Sequence, residues 1–196
     1  LANEIVNEPD LKKAVFHLKH ESDRLAKLLD EVLTLSRLET GREEFHLERF
    51  NLSALIQDTT EKMLLRAQKY EIQIISNIMP EIYVRGDQEK LVQVIVNLLD
   101  NAFKYSPPHS TVRVSLYKEA TEATLMIVDQ GIGIPEKDRS KVFDRFYRAE
   151  NAHSISGTGL GLSIVKHIVD AHSGSIKLAA GAEGGTIVIL RLPADT

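Results

Sequence analysis

From Leu11 to Ser36 one set of positions, Leu11, Val15, Leu18, Ser22, Leu25, Leu29, Val32 and Ser36, recurs at alternating spacings of four and three. That is a heptad seam, and it commits this part of the chain to one long helix. Ala14, Leu28, Leu33 and Leu35 widen the apolar stripe beyond a two-stranded seam, so the helix needs more than one partner helix. Pro9-Asp10 before it and Thr40-Gly41 after it are start and stop signals. No second heptad segment follows. The cover must come from another copy or from the helix packing back on the rest of the chain.

After Gly41 the period changes. EFHLERF alternates like a strand, Leu52 to about Tyr70 is helical, and IQIISNI and EIYVRG read as short strands on either side of Pro80. Asp87 to Lys104 reads as a helix. TVRVSLYKE and EATLMIVD are β-prone and can pair across Ala120-Thr121, as can SIKLAAG and GTIVILRL near the C-terminus. The expected fold is α+β: a two-layer α/β sandwich, with a mixed, mainly antiparallel sheet on about three helices, preceded by the long amphipathic helix. The expected division is 1–41 and 42–196.

Composition narrows what such a fold can do. With 196 residues, 43% of them hydrophobic, the chain can bury a real core, and a net charge of −4 without basic clusters argues against nucleic acid or an acidic membrane as partner. The absence of cysteine excludes a disulfide scaffold and Cys-ligated metal. No apolar run of about 18 residues and no signal peptide are visible. The chain opens without an initiator Met, which reads as a fragment of a longer protein.

Several segments carry chemistry. On LVQVIVNLLDNAFKY, Lys90, Gln93, Asn97, Asp100, Asn101 and Lys104 share a polar stripe opposite Leu91, Ile95, Leu98, Leu99 and Ala102. The stripe suits either plain solvation or Mg²⁺ bound by amide oxygens, with Lys104 beside phosphates. In VDQGIGIP, Asp129 ends a strand before Gly131 and Gly133, where its carboxylate can accept an adenine amine and reject guanine, or simply close an Asx turn. VFDRFYRAENAHSIS offers Phe143, Phe146 and Tyr147 as anchors, Arg145 and Arg148 as cations, and a polar stretch like a mobile cover. GTGLGLSIVKHIV sends Gly157, Gly159 and Gly161 into a helix start, a place for an anion or a flexible turn, at a spacing that fits no familiar phosphate loop.

Taken in order, these segments resemble the catalytic domain of sensor histidine kinases, within the superfamily that includes DNA gyrase and the Hsp-type chaperone ATPases. NLLDNAFKYS is similar to the N box, DQGIGIP to the first G box, FDRFYR to the F box, GTGLGLSIV to the second G box and GGT to the last. ESDRLAKLLDEVLTLSRLETG resembles the second helix of the dimerisation and histidine-phosphotransfer hairpin.

The resemblance implies ATP and Mg²⁺ as ligands, with Asn101 on the metal and Asn97 assisting, Lys104 on phosphate and Tyr105 near the base. It implies Asp129 on the adenine amine with Thr186 supporting it, and Gly131, Gly133, Gly157, Thr158, Gly159, Leu160, Gly161 and Leu162 shaping pocket and lid. Arg145 and Arg148 would be available to the phosphates, and the lid would run from about Asp144 to Ser156 with Gly157 as hinge. It further implies transfer of the γ-phosphoryl group to a histidine and relay to a response regulator receiver domain. The parent would be homodimeric, its kinase domain cytoplasmic even where a sensor is membrane-anchored.

One part of the family pattern is missing. None of the seven histidines lies in an S-H-E-[LI]-R-T-P context, and His20-Glu21 sits in second-helix sequence. The acceptor is expected upstream of Leu1, so the chain alone should bind ATP without labelling itself. Two other functions fit the same motifs. An ATP-hydrolysing clamp would need a general base, and relatives that hydrolyse ATP carry Glu where this chain has Asn97, an amide that takes no proton. A non-catalytic, nucleotide-gated interaction module has no need to keep Asn97, Asn101 and Lys104 together.

Overall fold

The computed structural model describes residues 8–153, 155, 157–182 and 184–195, without the side chains of residues 8–10 and 20. The order is α1 (Glu8–Glu39), β1 (Glu48–Asn51), α2 (Leu52–Lys69), β2 (Gln73–Ile78), β3 (Tyr83–Gly86), α3 (Gln88–Tyr105), β4 (Thr111–Glu119) and β5 (Glu122–Val128). Short 3₁₀ turns follow, then α4 (Gly161–Ala171), β6 (Ser175–Ala180) and β7 (Thr186–Asp195). The strands form one seven-stranded sheet in the order β1-β3-β7-β5-β4-β2, with β6 also on β7. Among the described strands β2 and β4 run parallel and the other pairs antiparallel. The α+β sandwich expected from the sequence is the fold observed.

Each helix of the sandwich is recognisable in its sequence. α2 starts where the Asn51 side chain accepts from Ala54 N, and α3 where Asp87 accepts from Lys90 N. The apolar side of α3, Leu91, Val94, Ile95, Leu98, Leu99, Ala102 and Phe103, is buried against the sheet. Ile164, Val165, Ile168 and Val169 of α4 join the same core. Removing that much apolar surface from water is the main force holding the two layers together.

One expectation needs correction. EFHLERF is not a strand throughout, because β1 begins only at Glu48; His46 N donates to Asp87 Oδ2 at 3.0 Å instead of joining a ladder. Asp87 thus caps α3 and ties down the preceding segment. Burial alone would raise its carboxyl, but the Lys90 and His46 N–H groups with the nearby positive charge outweigh it, and it lies below its usual value. On the same network, buried His172 at the end of α4 accepts from Asp87 N at 2.8 Å while its Nδ1 faces Ile168 O at 2.7 Å. That pair of partners selects the neutral tautomer with the proton on Nδ1.

For α1, packing back on the rest of the chain is realised in part. The helix ends as expected at Thr40-Gly41, where Gly41 takes φ +64° and Arg42 N reaches Arg37 O. Its C-terminal third packs back on the sandwich: Leu35 is 4% exposed, and Val32 and Leu38 lie against the core. The heptad seam itself is mostly left out, with Leu11, Val15, Leu18, Leu25 and Leu29 all exposed. Among the described residues no helix is long and apolar enough to cross a membrane.

Candidate functional site

The polar stripe of α3 does not face open solvent. Asn97, Asp100, Asn101, Lys104 and Tyr105 are half-buried and line a cavity of about 420 Å³ that also takes in Asp129, Gly133, Arg148, Gly157, Thr158, Gly159, Gly161, Leu162 and Thr186. Such a volume is ordinary for a small-molecule site. The four motif segments converge because β5 and β7 are neighbours in the sheet and α3 and α4 lie side by side over it.

At one end stands Asp129, 7% exposed. Its Oδ1 accepts from Gly131 N at 2.8 Å and Thr186 N at 3.0 Å, and its own N–H donates to Thr186 O. Burial pushes the carboxyl above its ordinary value, and the Gly131 and Thr186 hydrogen bonds counter this only in part. Both backbone bonds land on Oδ1, and the Thr186 hydroxyl also reaches the carboxylate, which lines the cavity. Glycine is required at Gly131 by the protein itself, since a Cβ there would strike the Tyr105 carbonyl.

Beyond Asp129, Lys104 reaches toward Gly157 beside the Tyr105 ring. Burial lowers its pKa, and Asp100 opposes the shift. Burial also raises the Tyr105 phenol. α4 then presents its first turn to the cavity. Unlike α2 and α3 it has no side-chain cap, because Leu160 occupies the cap position. Its leading N–H groups carry the positive end of the helix dipole toward Asn97, from which a Cβ on Gly161 would be 3.8 Å away.

The segment expected to form a lid lines the cavity through Tyr147, Arg148, Ala149, Asn151 and Ala152. Arg148 donates to Ala152 O at 2.6 Å and also to Ile155 O, Asn151 donates to Gly133 O at 3.1 Å, and Tyr147 donates to Asp138 at 2.8 Å. Arg148 thus ties the segment to itself while lining the cavity. Ser154 and Ser156, at the expected end of the lid, lie outside the described residues.

Three expected site residues do not line the cavity. Gly131 stands behind Asp129, Leu160 is fully buried in the core, and Arg145 points away to an ion pair with Glu39 of α1. Phe146 is no anchor either. The residue is 59% exposed, and its backbone is what Gly159 packs on. The side chain of His20 is not among those described.

Other cavity residues went unnoticed in the sequence. Glu31 of α1 accepts from the Thr158 hydroxyl, Lys27 of α1 lies 3.9 Å from Asp100, and Arg66 of α2 approaches Asp100 at 2.6 Å. They come from helices whose motifs concern packing, and only the fold brings them to the site.

Fold and site together define an ATPase class. Residues 86–196 match the family described as histidine kinase-, DNA gyrase B-, and HSP90-like ATPase, and the chain belongs to that family.

Within it, the relatives are sensor histidine kinases. The sensor-like histidine kinase SenX3 of Mycolicibacterium smegmatis is 33% identical over 190 residues, covering 95% of this chain and 50% of that protein. The mycobacterial sensor histidine kinase MprB is 36% identical at a TM-score of 0.66, over 76% of this chain and 97% of the solved one. ThkA, solved in complex with the response regulator TrrA, shares the fold at 24% identity and a TM-score of 0.78, over 98% of this chain and 54% of that one. The chain spans between 24% and 50% of the length of the first curated relatives it matches.

The cavity suits a nucleotide with Mg²⁺. Among its hard neutral oxygen donors are the amides of Asn97 and Asn101, one turn apart on α3, with Asn151 on another wall; a pair of amides leaves the metal's remaining positions to water and phosphate. The uncapped α4 N-terminus suits the phosphates, and the buried anionic acceptor at Asp129 suits an exocyclic amine.

Proposed function

We propose that this chain is the ATP-binding catalytic portion of a sensor histidine protein kinase. Its role is to bind ATP with Mg²⁺ and present the γ-phosphoryl group to a histidine on a helix outside the chain, for relay to an aspartate of a response regulator. The observation that carries this reading is the shared cavity, with Asp129 at one end and the uncapped α4 start beside Asn97, Asn101 and Lys104 at the other.

In this reading the Asp129 carboxylate accepts the adenine amine, and a guanine carbonyl there would set two acceptors face to face. Thr186 N holds the carboxylate in place from behind. Asn97 and Asn101 hold Mg²⁺ through their side-chain oxygens, and Lys104 offers charge to the phosphates. The metal supplies neutralisation of charge on the phosphate oxygens. Thr158 and the backbone of Gly159 to Leu162 close around the phosphates, and the segment from Asp144 excludes water. On transfer, the bond from the γ-phosphorus to its bridging oxygen breaks as a bond to the acceptor imidazole nitrogen forms, and ADP leaves.

Residues 1–41 serve as the second helix of a dimerisation and phosphotransfer hairpin, and 42–196 as the ATP-binding domain. The exposed seam of α1 is then the face left for the acceptor helix and for a second subunit in a homodimeric, cytoplasmic assembly. ThkA, captured with a response regulator, supports that class of partner.

Labelled ATP tests the proposal. A longer chain carrying the upstream acceptor helix should gain acid-labile label that needs Asn101, while this chain alone should bind ATP and stay unlabelled. Label on this chain that vanishes in His20→Gln would contradict it.

A further inference from the structure

Asp100 lies on α3 between Asn97 and Asn101 but belongs to neither the metal set nor the core. Its side chain is 16% exposed, and it gathers positive charge from two other helices: Arg66 Nε of α2 at 2.6 Å and Lys27 Nζ of α1 at 3.9 Å. The Arg66 approach is close but poorly aimed. Asp100 Oδ1 is buried and makes no hydrogen bond of good geometry. A finished Arg–carboxylate bridge places two parallel N–H groups on two oxygens. Here the nearest approach is Nε to Oδ1, and among the described residues Arg66 makes no hydrogen bond of good geometry. A planar fork of donors is left half-used at the wall of the cavity.

The charges around it call for an anion. Arg66, Lys27 and Lys104 supply three positive charges around Asp100 against two carboxylates, Asp100 itself and Glu31, which accepts from the Thr158 hydroxyl and lies 3.8 Å from Lys27. Position along α3 indicates which part of the ligand this is. The base end is marked by Tyr105, whose carbonyl accepts from Ile132 N beside Asp129. Asp100 lies five residues back, about 7.5 Å along the helix, on the side closed by α1 and α2.

Resting on the nucleotide reading above, we infer that Arg66 is a binding residue for the terminal phosphate of the nucleotide, and that Asp100 is the residue that positions it. Asp100 holds the guanidinium at the cavity wall by Nε and leaves the terminal nitrogens to the phosphate oxygens. Lys27 reaches the same carboxylate from α1, so the docked helix adds to the positive charge there.

The test is calorimetric titration of ATP and of ADP, each with Mg²⁺, into the full chain and into Arg66→Met, Arg66→Lys and Asp100→Asn. Arg66 is half-exposed on α2, so Arg66→Met should melt with the unaltered chain. Losing a charge-assisted hydrogen bond to a phosphate should weaken ATP about tenfold or more in Arg66→Met, while ADP changes by less than about twofold. Arg66→Lys should recover part of the loss, and Asp100→Asn should lower the ATP-over-ADP preference by a smaller factor in the same direction. Equal weakening of both nucleotides, or no change in either, overturns the inference and leaves the nucleotide reading standing. An unaltered chain that binds neither nucleotide overturns both.

Discussion

Asp129 shows how one residue can hold chemistry in reserve. Its carboxylate is buried, and two backbone N–H groups keep it pointed along the strand end while burial keeps its pKa above the ordinary 3.8. For stability the sign is unfavourable at neutral pH. A carboxyl whose folded pKa exceeds its unfolded one gains stability as pH falls and loses it as pH rises through the folded value. For ligand binding the sign reverses, because only the anion is a full acceptor for an amine. Nucleotide affinity is therefore expected to fall on acidification, within a window lying above the ordinary carboxylate range. Titrating adenosine, which carries no phosphate to protonate, isolates this group: the acid loss should appear in the unaltered chain and be absent in Asp129→Asn. The sequence supported this role only as one of two readings, since an Asx turn uses the same residues. The structure shows the turn, with Gly131 donating to Oδ1, and also sets the carboxylate in the wall of the cavity.

At the scale of elements, the glycines leading into α4 divide by what surrounds them. Gly159 takes φ +77°, and a Cβ there would meet the Phe146 backbone at 2.7 Å, so its demand is internal to the protein. Gly161 has no such constraint; a Cβ would lie 3.8 Å from the Asn97 side chain, on the cavity side. Gly159→Ala should therefore cost about 1 kcal/mol or more of stability through strain, seen as a lower melting temperature. Gly161→Ala should leave melting unchanged or slightly raised and still weaken ATP. Spacing had marked both glycines for a phosphate, and it could not reveal that Phe146 was the neighbour of one. Periodicity served better for α3, where Leu91, Ile95, Leu98, Leu99 and Ala102 are buried as expected. It overextended β1, where the Asp87 cap draws His46 out of the ladder.

For the whole molecule, the main consequence is that the long helix belongs partly to the site. Leu35 is buried against the sandwich, Glu39 holds Arg145, Glu31 holds Thr158 and Lys27 faces Asp100. Arg145 was expected on the phosphates. An arginine pattern says nothing of which carboxylate is nearest in space, and here that carboxylate lies more than a hundred residues earlier. The sheet order was hidden for the same reason, since the parallel pairing of β2 with β4 spans all of α3. What short-range pattern could convey was the α+β class, the helical faces and the motif residues of the cavity.

The central claim is that this cavity takes an adenine nucleotide with Mg²⁺, and parallel calorimetric titrations of ATP and GTP with and without the metal test it most directly. The account predicts that ATP binds, that it binds more tightly with Mg²⁺ through Asn97 and Asn101, and that GTP is rejected by about tenfold or more because it leaves acceptors facing at Asp129. Equal affinity for ATP and GTP, or binding of neither, would contradict it.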